Sequence, residues 1–96
     1  MIKQDIVDAV STSTGLSKVE VETVLNHAFD LIIKALEKND KIELRGFGTF
    51  SVKYRLPKKA RNPKSGDPIY LPERYVPVFR PSKKMKINVN EKLIDY

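Results

Sequence analysis

Apolar positions in the first third of the chain recur at helical spacing. Ile2, Ile6, Ala9 and Val10 form a stripe within residues 2–13, with Asp5 and Asp8 outside it. Gly15 is a natural stop, because glycine accepts the left-handed conformation that ends many helices. Ser17-Lys18-Val19-Glu20 then has the spacing of a capping box, with Ser17 capping the next helix and Glu20 reaching back. Val21, Val24, Leu25, Ala28, Leu31, Ile32, Ala35 and Leu36 keep the helical period until Asn39-Asp40. This predicts a helix of about 22 residues, roughly 33 Å long. Its apolar face is too wide for the first helix to cover.

The period changes near residue 41. Lys41–Leu44 and Phe47–Tyr54 predict two strands joined at Arg45-Gly46, the second alternating Phe50, Val52 and Tyr54 with Thr49, Ser51 and Lys53. Residues 55–75 hold few apolar groups and many prolines, which excludes them from a core. Asn62-Pro63-Lys64-Ser65-Gly66-Asp67 predicts a turn, with φ fixed by Pro63 and the left-handed position taken by Gly66. The flanking segments predict a long two-stranded ribbon, with Pro57, Pro68 and Pro72 where no ladder bond is required. Val76–Arg80 predicts a third strand, and Ser82 caps a short last helix from Lys83 to about Lys92.

The expected fold class is α+β: two N-terminal helices, a three-stranded antiparallel sheet with a long β-ribbon arm, and a short C-terminal helix. The expectation is a single domain, residues 1–96. Within it the helical base covers about 1–40, the sheet and arm about 41–81 with the arm at about 55–75, and the last helix about 82–92. Without the arm, about 75 residues remain, a size at which a single core is marginal. Phe47, Phe50 and Phe79 crowd the sheet, and the wide face of the second helix is unclaimed. A dimer is the simplest way to bury them.

Charge divides the chain in two. Residues 1–50 carry six Lys/Arg against eight Asp/Glu, and residues 51–96 carry twelve against four. From Lys53 to Lys64 there are six positive charges and no negative one. Such a segregated block is the footprint of a polyanion binder; its competing readings are a solubilising tail, a membrane-surface patch or a disordered basic loop. Along an extended ribbon Lys53, Arg55, Lys58, Lys59, Arg61 and Lys64 span roughly 36 Å, enough to follow a groove of duplex DNA. The turn at Pro63–Gly66 and the apolar Ile69, Tyr70, Leu71 and Val76 in the return limb favour the ribbon over a disordered loop.

Pro63, a rigid apolar ring at the tip beside Arg61 and Asn62, has the character of a wedge that parts a base step from the minor groove. Lys83, Lys84 and Lys86 crowd the start of the last helix against its macrodipole, a conflict that a bound phosphate removes.

Other chemistry has little to stand on. The chain has no cysteine, which excludes disulfides and thiolate ligands. His27, the one histidine, cannot build a zinc site or a nucleophile pair alone. Asp5 and Asp8 read as a solvated helix face rather than a cation site. Gly46-Phe47-Gly48 lacks the third glycine and the helix of a dinucleotide fingerprint, and reads as tight strand-start geometry. No enzymatic activity, cofactor or metal is expected. No apolar run approaches the roughly 20 residues of a membrane span, and the N-terminus shows no secretory pattern. The expectation is a soluble, cytoplasmic protein with no membrane partner.

Ile42-Glu43-Leu44-Arg45-Gly46-Phe47-Gly48-Thr49-Phe50, Ala60-Arg61-Asn62-Pro63-Lys64-Ser65-Gly66 and Phe79-Arg80-Pro81-Ser82-Lys83-Lys84-Met85-Lys86 strongly resemble the bacterial histone-like HU and integration host factor family. The resemblance covers essentially the whole chain, and the family is itself a standard example of minor-groove binding. It implies an intertwined dimer with a helical base and a saddle of sheet, from which two β-arms embrace double-stranded DNA in the bacterial nucleoid. By the same resemblance, Pro63 is similar to an intercalating proline with Arg61 and Asn62 as minor-groove neighbours. Lys53, Arg55, Lys58, Lys59, Arg74 and Arg80 resemble arm and saddle contacts, joined by Lys64 at the tip and Arg45. Lys3, Lys83, Lys84 and Lys86 resemble phosphate contacts along the flanks, and Phe47, Phe50 and Phe79 a dimer core.

Ser82 departs from the family's usual glycine, and Pro68, Pro72 and Pro77 make the return limb proline-rich. Two branches stay open: a nonspecific compactor of the chromosome, or a semi-specific bender acting in transcription and recombination. A homodimer and a heterodimer with a paralogous subunit are equally compatible with the residues. Two rivals from other classes are an RNA-binding module, for which Tyr54, Tyr70 and Tyr75 are the stacking candidates, and a structural protein of this fold without a DNA role.

Overall fold

A computed structural model describes residues 1–94. The chain divides into two compact units, Met1–Lys34 and the segment from Ala35 onward.

The first unit holds α1 (Lys3–Thr14) and the greater part of α2 (Lys18–Glu37). Each helix end is closed as its sequence dictates. The Asp5 carboxylate accepts from the Ile2 amide at 2.7 Å, and Gly15, at φ 80°, donates its amide to the Ser11 carbonyl at 3.0 Å. Ser17 and Glu20 form the reciprocal box, amide to carboxylate at 3.2 Å and amide to hydroxyl at 3.1 Å. The Ser17 bonds hold the Glu20 carboxyl below its ordinary range. Asp8 bonds Gln4 at 2.9 Å and pairs with Lys18 at 3.4 Å, and these two partners lower its pKa in that order. Asp5 and Asp8 are thus capping and pairing groups.

α2 is 20 residues long, slightly shorter than its periodicity predicts. Asn39 adopts φ 60°, and the Asn39 and Asp40 amides bond back to Leu36 and Ala35. Asparagine tolerates that left-handed turn, so the helix closes there.

The packing of α1 departs from its predicted stripe. Val7 is its buried residue and Val10 is half-buried, whereas Ile2, Ile6 and Ala9 are exposed. On α2, Val21 is buried while Val24, Phe29, Leu31 and Ile33 are exposed. Val7 and Val21 are the only buried apolar side chains among the described residues. A single chain therefore leaves most of its large apolar groups in water.

The second unit holds β1 (Ile42–Leu44), β2 (Gly48–Arg55), β3 (Lys58–Arg61), β4 (Pro68–Leu71), β5 (Arg74–Pro81) and α3 (Lys83–Leu93). β1, β2 and β5 form an antiparallel sheet in that order, and β3 pairs with β4 in a second, two-stranded sheet. The β2–β5 ladder runs from Gly48↔Pro81 to Arg55↔Arg74, and the β3–β4 ladder from Lys58↔Leu71 to Arg61↔Pro68. Both ladders share one offset, so a single hairpin continues through the gap without a register slip. Leu56-Pro57 and Pro72-Glu73 leave the ladder between them, with Pro57 and Pro72 at matching positions. The long ribbon expected from the sequence forms as two ladders, because a proline on each limb removes the amide that pairing needs at the gap. The third strand starts at Arg74 rather than Val76, and it accommodates Pro77 as an edge strand.

The two glycines of the Gly46-Phe47-Gly48 motif have different tasks. Gly46 sits at φ 82° in the β1–β2 turn. A side chain at Gly48 would run into the Phe79 ring and would lie 2.6 Å from the Arg80 carbonyl oxygen. Phe79 lies between Phe47 and Phe50, with ring centroids 5.3 and 4.8 Å away. This cluster is incomplete in one chain: Phe47 is 49% and Phe79 37% exposed.

Candidate nucleic-acid interface

Register sorts the cations of the ribbon by face. In an antiparallel pair, residues directly opposite share a face and neighbours along a strand alternate. In the β2–β5 ladder, Phe50, Val52 and Tyr54 share one face with Phe79, Pro77 and Tyr75. The other face carries Lys53 opposite Val76, Arg55 opposite Arg74, and Arg80 opposite Thr49. In the β3–β4 ladder, Lys59 and Arg61 share a face with Tyr70 and Pro68, while Lys58 and Ala60 lie opposite Leu71 and Ile69 on the other. The unbroken offset carries the alternation through the proline gap. Lys53, Arg55, Lys59, Arg61, Arg74 and Arg80 thus belong to one basic face of the hairpin. Lys58 falls on the other face.

The basic face is electrostatically unmet. Among the described residues of this unit, the ion pair is Lys41 with Glu43 at 3.0 Å, and no ribbon cation is paired. Glu73, the acid closest in sequence to the arm cations, accepts instead from the Tyr54 hydroxyl, a bond that raises the tyrosine's pKa. Arg55 and Arg74 stand directly opposite each other, and like charges in that relation destabilise a ladder. A hollow of about 590 Å³ opens beside them at the proline gap, lined by Arg55, Leu56, Pro57, Lys58 and Arg74. An anion seated there would relieve the repulsion.

The tip is held by its own backbone. Asn62 donates its amide to the Asp67 carbonyl at 2.8 Å and accepts from the Gly66 amide at 2.7 Å, with Gly66 at φ 75°. The Asn62 side-chain oxygen accepts from the Lys64 amide at 2.9 Å. Pro63 and Lys64 stand exposed on this closed loop beside Arg61.

A second cationic group forms around Ser82. Its hydroxyl accepts from the Met85 amide at 3.1 Å, capping α3, and donates to the Gly46 carbonyl at 2.9 Å. Its amide bonds the Phe47 carbonyl at 2.9 Å. The serine therefore ties the turn bearing Arg45 to the helix start bearing Lys83, Lys84 and Lys86. Glycine at this position would provide only the backbone link. Lys3 belongs to the helical unit, where it bonds Asn26 at 3.0 Å and lies 4.0 Å from Glu22. Its charge is already partly met. His27 is exposed on α2, and among the described residues no helix is long and apolar enough to cross a membrane.

Tyr70 joins the basic face without any local signal in the sequence, because its position there depends on cross-strand register.

Comparison with known proteins fits this arrangement. The family model described as bacterial DNA-binding protein matches residues 1–90. The chain is 40% identical over 92 residues to integration host factor subunit beta of Pseudomonas entomophila, covering 95% of this chain and 94% of that one. It is 41% identical over 86 residues to DNA-binding protein HU of Geobacillus stearothermophilus, covering 90% and 96%. Identity therefore does not favour one branch over the other. The structure is similar to an Anabaena HU–DNA cocrystal structure, with a TM-score of 0.86 at 35% identity over 93% of this chain and 97% of that one. From the arm motif, the fold and the match along nearly its full length, the chain belongs to the bacterial DNA-binding protein family that includes HU and the integration host factor subunits.

Proposed function

We propose that this protein is an architectural binder of double-stranded DNA, which it grips through the minor groove with its ribbon arms and bends, helping to compact or organise the bacterial chromosome. The observation that carries the reading is the single basic face of the hairpin: six cations, none ion-paired among the described residues, leading to an exposed proline. Two copies act together, Phe47, Phe50 and Phe79 contributing to the surface they share. Lys53, Arg55, Lys59, Arg61, Arg74 and Arg80 meet phosphates and groove edges along the arm. Arg61 and Asn62 flank Pro63, whose ring enters a base step. Lys3, Arg45, Lys83, Lys84 and Lys86 receive the flanking DNA once it is bent, and Lys58 and Lys64 add charge at the gap and tip. The family is one of DNA-binding proteins rather than enzymes, and the nucleoid is the compartment that fits this role.

Competition gel shifts at a stated salt concentration test the proposal. Unrelated duplex sequences should compete about equally, with affinity falling steeply as salt rises, because phosphate binding releases counterions. Equal or better competition by single-stranded RNA would contradict it.

A further inference from the structure

We propose, resting on the DNA-binding reading above, that Tyr54 is a positioning residue: its hydroxyl holds the Glu73 carboxylate and so leaves the cations at the proline gap free to meet phosphate. Between Lys53 and Arg74 the hairpin carries two acids, Asp67 at the tip and Glu73 at the gap. By the shared offset of the two ladders, Glu73 is level with Leu56, one position from the opposed Arg55 and Arg74 and two from Lys58. Those three cations line the hollow, and Glu73 does not. A carboxylate so placed is a natural ion-pair partner for any of them. Yet among the described residues none of the three is ion-paired, and Glu73 accepts from Tyr54 instead.

Ladder geometry explains the choice. Tyr54 stands directly opposite Tyr75, so Glu73, two residues back along the return limb, is its diagonal neighbour on the face away from Arg55 and Arg74. Diagonal neighbours lie within reach of aromatic and long side chains. The Tyr75 ring, 5.2 Å from that of Tyr54, packs beside it and steadies the hydroxyl. A phenol donates a hydrogen bond without bringing a positive charge, so it satisfies the carboxylate without engaging an arm cation. The bond to Glu73 raises the tyrosine's pKa, and the phenol keeps its proton. With the hydroxyl removed, the freed carboxylate turns to the nearest cations, and each cation so held must give up its partner before it neutralises a phosphate. Exposed ion pairs are individually weak, so the consequence is a severalfold loss of affinity and not a loss of binding.

The test is the salt dependence of binding to an intact, random-sequence duplex of about 35 base pairs, short against the persistence length of about 150 base pairs. Tyr54→Phe keeps the ring pair and lacks the hydroxyl. At low salt it should bind up to about fivefold more weakly per arm. It should also flatten the dependence of log K on log salt by about 0.9 for each arm whose cation is taken, so that a rise from about 50 to about 200 mM salt shrinks the wild-type advantage about 3.5-fold per arm. Glu73→Gln, which removes the charge, should bind at least as tightly as wild type. In that background Tyr54→Phe should have no further effect, because no carboxylate is left to hold. Unchanged affinity and slope in Tyr54→Phe overturn the assignment. So does a loss that persists in the double variant, since the hydroxyl would then act on the fold and not through Glu73; the DNA-binding reading stands in both cases. A wild-type protein that does not bind the duplex overturns that reading as well.

Discussion

A methyl group at Gly48 would run into the Phe79 ring and lie 2.6 Å from the Arg80 carbonyl oxygen, so this glycine lets β5 and its phenylalanine close onto the start of β2. Gly48→Ala should displace Phe79 from between Phe47 and Phe50, at a cost of about 1–3 kcal/mol by overpacking. Because these rings are part of the proposed dimer surface, sedimentation should show less of the species at twice the chain mass; an unchanged dimer would mean that the cluster is not part of that surface. Both glycines of the motif stand out in the sequence, and their structural nature follows from the missing third glycine and helix. Their division of labour does not, since the approach of Phe79 to Gly48 joins residues far apart in the chain. Local signals are more legible: Gly15, the Ser17–Glu20 box, the Gly66 turn and the Ser82 cap each act within a few residues, and each forms as its residue types dictate.

For the elements, helix spans and strand alternation are legible because period and caps are written locally. The continuity of the arm is not. Pro57 and Pro72 each read as a tolerated proline, and only pairing puts them at the same level of the hairpin and opens a gap there. Likewise, a run of six positive charges says nothing of which cations share a face; register separates Lys58 from Lys59 and Arg61. Replacing Lys59 and Arg61 together with Ala should weaken binding to all duplex sequences about equally. It should also flatten the dependence of log K on log salt by about 0.9 for each phosphate that the protein no longer neutralises. An unaltered slope would mean that these two side chains do not meet phosphate. The helical stripe differs from the buried set for a related reason. Periodicity marks all apolar positions of a face, and it does not say which of them one chain buries; Val7 is buried and Ile6 is not.

For the molecule as a whole, exposed apolar groups and unpaired cations describe a chain that is completed by its partners. Val24, Leu31, Phe47 and Phe79 are exposed in the single chain, which a second copy can cover. The basic face calls for a polyanion, and Pro63 at the exposed tip is the proposed wedge. Unstacking a base step costs a few kcal/mol, which in the proposed mode is offset when bent DNA reaches additional cations such as Lys83, Lys84 and Lys86. Binding and bending are then separable: Pro63→Ala keeps the charges and loses the rigid ring. Energy transfer between dyes at the two ends of a duplex of about 35 base pairs, far shorter than the persistence length of about 150 base pairs, reports the bend directly. At saturation the wild-type protein should bring the ends measurably closer, and Pro63→Ala should bind with much of the wild-type affinity but shorten the distance less. An end-to-end distance unchanged by saturating wild-type protein would contradict the architectural account.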